Sequence, residues 1–523
     1  MRIIISFLLT LVLSANWTGV TVGPLSGNSP VTIEYRAMEI NNIRAWFCSD
    51  GSFNTLPSGN AGFEWPKGFG RYARFVSGIW LGAKVQNDTL ITHAFYDAQY
   101  LPGYIDSNGN PQGWNDPDYR IYSIIKGDTL SQDYLNWPSS QGAYLNSSGK
   151  PYFLGTQTMF YSITDGYADH HTSFPGNTAP LKAQILQTNW AYSAQDLKDV
   201  IFTEFRIINR SNMTWHNAYF GFWTDDDVGD AGDDGTGIDT LRNLTYVYNF
   251  DNFDPQYGEA PPCVGTLLLR SPVRQTGNPG DSVRYYHPPG SMNLVTKQGS
   301  AFTGLTAFNV SGNQYEEPGD YAEAFRFFEG KQRTGQPWIN PVTGQVTVKL
   351  YSGDPVTGTG WINLGSEERR VMTSYGNITM IPGDTQSLIV AQLIARGSNN
   401  KNSITKLREL SDYVQSVYDK NFQTALSAEF VSEEIPDKFN MKQNYPNPFN
   451  PITNIEYELP ISGRVELKIF DIAGRLVHTL VDEFKTAGSH LVSFNASDLS
   501  SGVYFYTLKT AGYTRTLRMV VLK

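Results

Sequence analysis

The chain has 523 residues, enough for two or three domains with cores of their own. It is 40% hydrophobic, 13% aromatic and only 17% charged, with 48 Gly, 28 Pro and 30 Tyr, a balance that favours short strands and turns over helices. Its net charge of -10 argues against a nucleic-acid partner, which needs clustered Lys and Arg, and no basic amphipathic run marks a membrane surface.

Residues 1–23 have the layout of a secretory signal peptide. Arg2 supplies the positive start, Ile3 to Leu13 the apolar core, and the small Ser14 and Ala15 lead into a cleavage region ending near Gly23. That core is far short of the ~20 residues a membrane span needs, and no later run approaches this length. The mature chain is therefore expected to be exported and to lack a transmembrane segment. Cys48 and Cys263 are the only cysteines; export permits a disulfide between them, and their spacing leaves the pairing open.

Residues 24–398 read as one β-rich body. Strand patterns fall at Phe75 to Val85, Ile121 to Ile125, Val200 to Ile208, Ala218 to Trp223, Val346 to Tyr351 and Ser387 to Ala395, between Gly, Asn, Asp and Pro punctuation. The run from Val200 to Ile208 is apolar on both parities for part of its length, as suits a strand covered on both faces. Within residues 399–424 a helix is predicted from Ser403 to Phe422, because Ile404, Leu407, Leu410, Val414, Val417 and Tyr418 form one apolar stripe, with Ser403 as its cap. Residues 425–440 form an acidic linker without periodicity. From residue 441 to 523 the pattern turns to crisp alternation, as in Ile455 to Leu459 and Val465 to Ile469. Six or seven short strands in this span predict an immunoglobulin-like sandwich. The fold class is thus mainly β: a large β-sandwich-type body closed by one helix, followed by a small immunoglobulin-like β-sandwich.

Asp225 to Asp239 holds seven Asp and four Gly without one Lys or Arg. Carboxylates this close repel one another, and glycine lets the backbone fold tightly enough for several oxygens to converge on a hard cation. Asp225, Asp227, Asp230, Asp233, Asp234 and Asp239 are the candidate ligands of a structural calcium ion. The spacing departs from an EF-hand, since Gly229 stands where a third ligand belongs and no Glu closes a twelve-residue loop. The competing readings are a solvated acidic loop and a set of catalytic carboxylates. His170-His171, beside Asp165 and Asp169, is a weaker zinc candidate with His93, His216 or His287 as third ligand, because adjacent strand residues point to opposite faces. Nucleophile elbows, P-loops and dinucleotide fingerprints are absent in usable context. Glu64, Glu204 and the Asp225 cluster are the carboxylates available to a glycosidase, and spacing selects no pair among them.

The order Tyr445-Pro446-Asn447-Pro448-Phe449, Phe470-Asp471-Ile472-Ala473-Gly474-Arg475, Ala487-Gly488-Ser489-His490, Ser501-Gly502-Val503-Tyr504-Phe505 and a terminal Lys523 resembles the type A C-terminal sorting domain of the bacterial type IX secretion system. The resemblance implies passage through the outer membrane of a Gram-negative bacterium and recognition of residues 441–523 by the secretion machinery. It also implies removal of this domain and, often, attachment of the cargo to surface lipopolysaccharide. Asn-x-Ser/Thr sites such as Asn243-Leu244-Thr245 suggest a glycoprotein, but a bacterial sorting label makes them incidental. A second resemblance rests on Phe63-Glu64-Trp65-Pro66-Lys67-Gly68, Ser77-Gly78-Ile79-Trp80-Leu81-Gly82, the acidic loop, Tyr248-Asn249-Phe250-Asp251-Asn252 and Pro261-Pro262. It is to a group of large secreted proteins bearing the same domain, and it spans roughly residues 40 to 400 without implying an activity. Taken together the expectation is an extracellular or cell-surface structural or adhesive protein, leaning away from an enzyme, pinned by calcium and able to self-associate. The alternative is a secreted carbohydrate-binding or glycoside-hydrolysing protein.

Overall fold

The computed structural model describes residues 18–22 and 31–522, apart from 173–174, 176, 313–316, 366–367, 424–437, 462, 486–487 and 511. The expected signal peptide lies outside the described residues except for Thr18–Val22, which pair antiparallel with Val31–Met38. Most of the expected linker lies outside them too.

Two large antiparallel sheets form the body. The first has eleven strands, with Val76–Val85, Trp215–Asp226 and Arg369–Met380 adjacent near its middle. The second has nine, with Gln157–Thr164, Ala183–Ala191, Val200–Asn209, Thr385–Ala395 and Cys263–Arg270 side by side. Phe47, Phe53, Ile79, Phe220 and Phe222 of the first sheet meet Met159, Ile185, Phe205, Leu388 and Val390 of the second in one continuous core. Each such side chain contributes roughly 1.5–3 kcal/mol on leaving water, which makes the inter-sheet layer the main source of stability.

The outer faces are covered as well. Helix Asn400–Asp419 lays Ile404, Leu407, Val414 and Val417 on the far face of the second sheet, against Trp190, Phe202, Leu267 and Leu393. This explains why all ten residues of Val200–Asn209 are buried: one parity faces the first sheet and the other faces the helix layer. The helix begins earlier than its apolar stripe indicates. Asn399 is its cap, accepting from the Asn402 amide at 2.8 Å, while Ser403 sits inside and donates to the Pro261 carbonyl at 2.7 Å. A second helix, Tyr321–Phe328, escaped the periodicity reading. It packs Phe325 and Phe328 with Trp80, Tyr219 and Trp223 on the far face of the first sheet. Of the run from Val346 to Tyr351 only Val346–Thr347 is a strand; Leu350 and Tyr351 reach the core from irregular chain.

Residues 438–522 fold as a smaller sandwich of a three-stranded and a four-stranded sheet. Ile455, Tyr457, Leu459, Val465, Leu467, Ile469, Tyr506 and Leu508 fill it. The alternation of Gly463–Phe470 is direct, with Val465, Leu467 and Ile469 buried between more exposed neighbours.

Candidate functional site

The acidic segment carries the chain from one sheet to the other. Trp215–Asp226 ends in the first sheet, and Asp234–Asp239 forms an edge of the second. Asp225 stands opposite Arg370 in register, with Nε 3.6 Å from Oδ1, and also accepts from the Tyr96 hydroxyl. Asp226 is buried against Arg74 at 3.1 Å, and the same guanidinium donates across the core to Thr266 Oγ1 at 3.0 Å. Asp239 lies at the other end of its strand, roughly 17 Å from Asp234 at ordinary strand rise. There it pairs with Arg242 at 2.9 Å and Arg408 at 3.2 Å. The six expected ligands therefore do not converge: Asp225 and Asp239 face arginines at separate places.

Asp227, Asp230, Asp233 and Asp234 remain in the turn between the sheets. Asp230 caps the short turn Ala231–Asp233 by accepting from the Gly232 amide at 3.0 Å. Asp233 accepts from Asn249 Nδ2 at 2.8 Å, and Asp234 Oδ2 from the Val228 amide at 3.1 Å. Asp227 Oδ1 and Asp234 Oδ1 are buried with no hydrogen-bond partner. Burial, followed by neighbouring carboxylates, holds Asp227 and Asp234 above the usual carboxylate range; Asp233 is pushed up to about 6, again with burial first. Gly229, at φ +85°, is required here, because a Cβ would lie 2.2 Å from both carboxylate oxygens of Asp254. Among the described residues no three His, Cys, Asp or Glu side chains meet as a metal-ligand set.

The other candidates take local structural work. His171 is buried, with Nε2 2.9 Å from the Asp165 carbonyl, and burial pushes its pKa down to about 4, so the ring is neutral. Asp165 accepts from the amides of Leu181 at 2.7 Å and Ala183 at 2.6 Å. His93 stacks near Trp80, His216 is exposed on Trp215–Asp226, and His287 lies beside Glu204, so no third ligand joins the pair. Glu64 receives Arg44 at 2.9 Å and the amides of Gly68 and Gly70 at 2.8 and 2.7 Å. Cys48 and Cys263 are both free and buried, one in each large sheet.

A cationic pocket went unseen in the sequence. Glu204 and Arg206 stand two apart on Val200–Asn209, so both point to the outer face of the second sheet. Register places Ser387 opposite Arg206, and both Glu204 and Arg270 opposite Ile389, on that same face. Glu204 is fully buried and accepts from Ser387 Oγ at 2.7 Å and from the Tyr144 hydroxyl at 2.8 Å. Arg270 lies 3.6 Å away, and His287 Nδ1 4.0 Å. Although burial opposes ionisation, Arg270 and Arg206 hold the Glu204 carboxyl below its ordinary pKa, so it is charged. Arg206, Arg270, Tyr285, His287, Lys297 and Ser387 line an adjoining cavity of about 180 Å³. The signal for it was dispersed over segments far apart in the chain, joined by register within the second sheet and by the hairpin Ser282–Tyr286 and Leu294–Gln298 beside it.

In the C-terminal sandwich the Tyr445 to Pro451 segment is clasped to the last strand. Phe449 donates to the Val520 carbonyl and accepts from the Leu522 amide, both at 3.0 Å. Asn447 Oδ1 accepts from the Val520 amide at 2.9 Å. Asn444 is buried, donating from Nδ2 to Thr453 Oγ1 at 2.9 Å and from its amide to the Tyr506 hydroxyl at 2.8 Å. Asp471 closes the next turn by accepting from the amides of Ala473 and Arg475 at 2.9 and 3.0 Å. These side chains build turns and expose no reactive group.

Comparison with known proteins matches residues 443–522 to the family described as the secretion system C-terminal sorting domain. No curated protein matches the chain, so the likeness of the body to large secreted proteins rests on the quoted motifs alone. One solved structure, a polysaccharide lyase, is 9% identical over 94% of this chain and 46% of its own, with a TM-score of 0.25. Another, titled as PorZ, an essential bacterial surface component of the type-IX secretion system of Porphyromonas gingivalis, is 9% identical over 94% of this chain and 58% of its own, with a TM-score of 0.14. This chain thus spans less than two thirds of either structure, and at such scores neither likeness carries an argument. Residues 443–522 are a type IX secretion sorting domain, and the chain that bears them is a secreted cargo.

Proposed function

We propose that this cargo is a non-enzymatic structural or adhesive protein on the outer surface of a Gram-negative bacterium, delivered by machinery that recognises residues 441–523. The observation that carries the reading is the separate engagement of the candidate catalytic carboxylates. Glu64 is taken up by Arg44, Glu204 by Arg270 and Ser387, and Asp225 by Arg370 and Tyr96. A glycosidase needs two carboxyl groups facing each other across one cleft, ~5–9 Å apart. Cells producing the chain without residues 441–523 should retain it in the periplasm, and cells lacking the whole chain should attach less to surfaces. Normal surface delivery of the truncated chain would sink the first part; unchanged attachment would sink the second. Self-association through exposed strand edges belongs to the same reading. Sedimentation of a single monomeric species at every concentration would remove it.

Calcium has a narrower place in this proposal than composition gave it. Asp227 and Asp234 would hold the ion through their unpartnered buried oxygens. Calcium takes six to eight oxygens in flexible geometry, so backbone carbonyls and water would complete the shell. The ion would supply charge neutralisation where the chain crosses between sheets. Its role would be structural.

A further inference from the structure

The pocket beside Glu204 holds more positive charge than the protein itself balances. Arg270 is 3% exposed and Arg206 9% exposed, and Glu204 is the single carboxylate between them. Arg206 donates to the Gly142 carbonyl at 2.6 Å and lies over the Tyr144 ring at 4.2 Å, and its Nε is buried without an acceptor. His287 Nδ1 is likewise buried without a hydrogen-bond partner. Lys297 adds a third cation to the lining, which contains no Asp or Glu. An uncompensated buried cation is costly, and guanidinium cannot shed its proton to escape that cost. In a chain of net charge -10 this local excess is not a by-product of composition.

The surroundings limit what can fill it. At about 180 Å³ the cavity takes one charged group with at most one small ring. Two open troughs of about 430 and 500 Å³ also reach Arg270, bordered by Tyr285, Tyr286, Tyr418 and Phe302, with Arg284 in both. Their two acids are engaged: Asp412 pairs with Arg242 at 2.9 Å, and Asp419 accepts from Gln415 at 2.8 Å. A small cationic pocket beside larger, tyrosine-edged troughs that share Arg270 with it suits a chain whose units carry an anion and whose rings stack on aromatic faces.

We propose that Arg206, Arg270 and Lys297 bind the carboxylate or sulfate group of an acidic polysaccharide, with the tyrosine-edged troughs holding the neighbouring sugar units. The inference deepens the adhesive reading and rests on it for display outside the cell. The purified full chain tests it separately from cell attachment. Calorimetric titration would use four probes: an oligogalacturonate, a sulfated oligosaccharide of similar length, a neutral oligosaccharide and inorganic sulfate. At least one acidic oligosaccharide should bind, more weakly as salt rises, while the neutral one does not. Lys297→Met should weaken binding about tenfold at unchanged melting temperature, and Arg206→Gln should weaken it further. Binding by the cavity with unchanged attachment of cells lacking the chain would keep the site and remove the adhesive role. The proposal is overturned if neither acidic oligosaccharide binds, if both variants bind like the parent, or if inorganic sulfate or the neutral oligosaccharide binds as tightly as the acidic sugars.

Discussion

The acidic turn and the cationic pocket are opposite solutions to buried charge. In the turn seven carboxylates come from one short stretch, and the fold takes three of them out with arginines from elsewhere: Asp225 to Arg370, Asp226 to Arg74, Asp239 to Arg242 and Arg408. In the pocket the cations come from separate strands and share one carboxylate, Glu204. The chemistry of the two signs also differs. A crowded carboxylate can take up a proton, whereas a crowded guanidinium cannot lose one. The turn can thus relax by titration, whereas the two buried guanidiniums of the pocket cannot.

Removing each counter-ion is the most direct way to break this contrast. Glu204→Ala should destabilise the protein by about 3–5 kcal/mol from neutral pH down to the ordinary carboxylate range, since the depressed pKa of Glu204 keeps the parent's pair charged there and the variant leaves Arg270 buried and charged. Arg74→Met should cost a similar ~3–5 kcal/mol near neutrality but progressively less on acidification, as the raised pKa of Asp226 lets it protonate. Urea unfolding of both variants at several pH values reads the difference; parallel pH dependence in the two would dissolve the distinction. Calcium comes next in size. At a hundredfold excess over its dissociation constant it should stabilise the full chain by ~2.7 kcal/mol, and EDTA should reverse the gain. Without calcium the turn should lose stability as pH rises from about 4 through the elevated pKa of Asp233, about 6, because the folded state holds that proton more tightly than the unfolded one. Asp227→Asn with Asp234→Asn should flatten the calcium response, and melting unaffected by EDTA would exclude the ion. The smallest effect belongs to Arg242→Ala, which breaks partly exposed pairs and should cost under ~1 kcal/mol while leaving the calcium response intact. Loss of that response would return Asp239 to the ligand set.

The sequence-based reading was strongest where structure is local. The stretch from Val200, apolar on both parities for part of its length, announced a doubly covered strand, and the alternation after Ile452 announced the small sandwich. The stripe of Asn400–Asp419 was readable, but its start was not, because Asn399 and Ser403 are both plausible cap residues and only the extended backbone of Asn399 decides between them. Helix Tyr321–Phe328 had a start signal in Asp320 and Glu323, yet eight residues give too little periodicity to stand out. The acidic turn was visible because its charges are contiguous. Its arginine partners were invisible, since Asp225 meets Arg370 through strand pairing and Asp226 meets Arg74 by a side-chain contact, both across long stretches of chain. The same holds more severely for Glu204, whose partners on Thr385–Ala395 and Cys263–Arg270 are fixed only by register.

The clasp between Phe449 and the strand Tyr513–Val521 has a consequence for how the sorting domain tolerates damage. Phe449, in the segment that opens the sorting domain, is held by Val520 and Leu522, far along the chain from it. A chain interrupted before Val520 would carry the opening motif without the strand that holds it. The address is therefore read from two distant stretches held as one unit, and damage to either loosens the other.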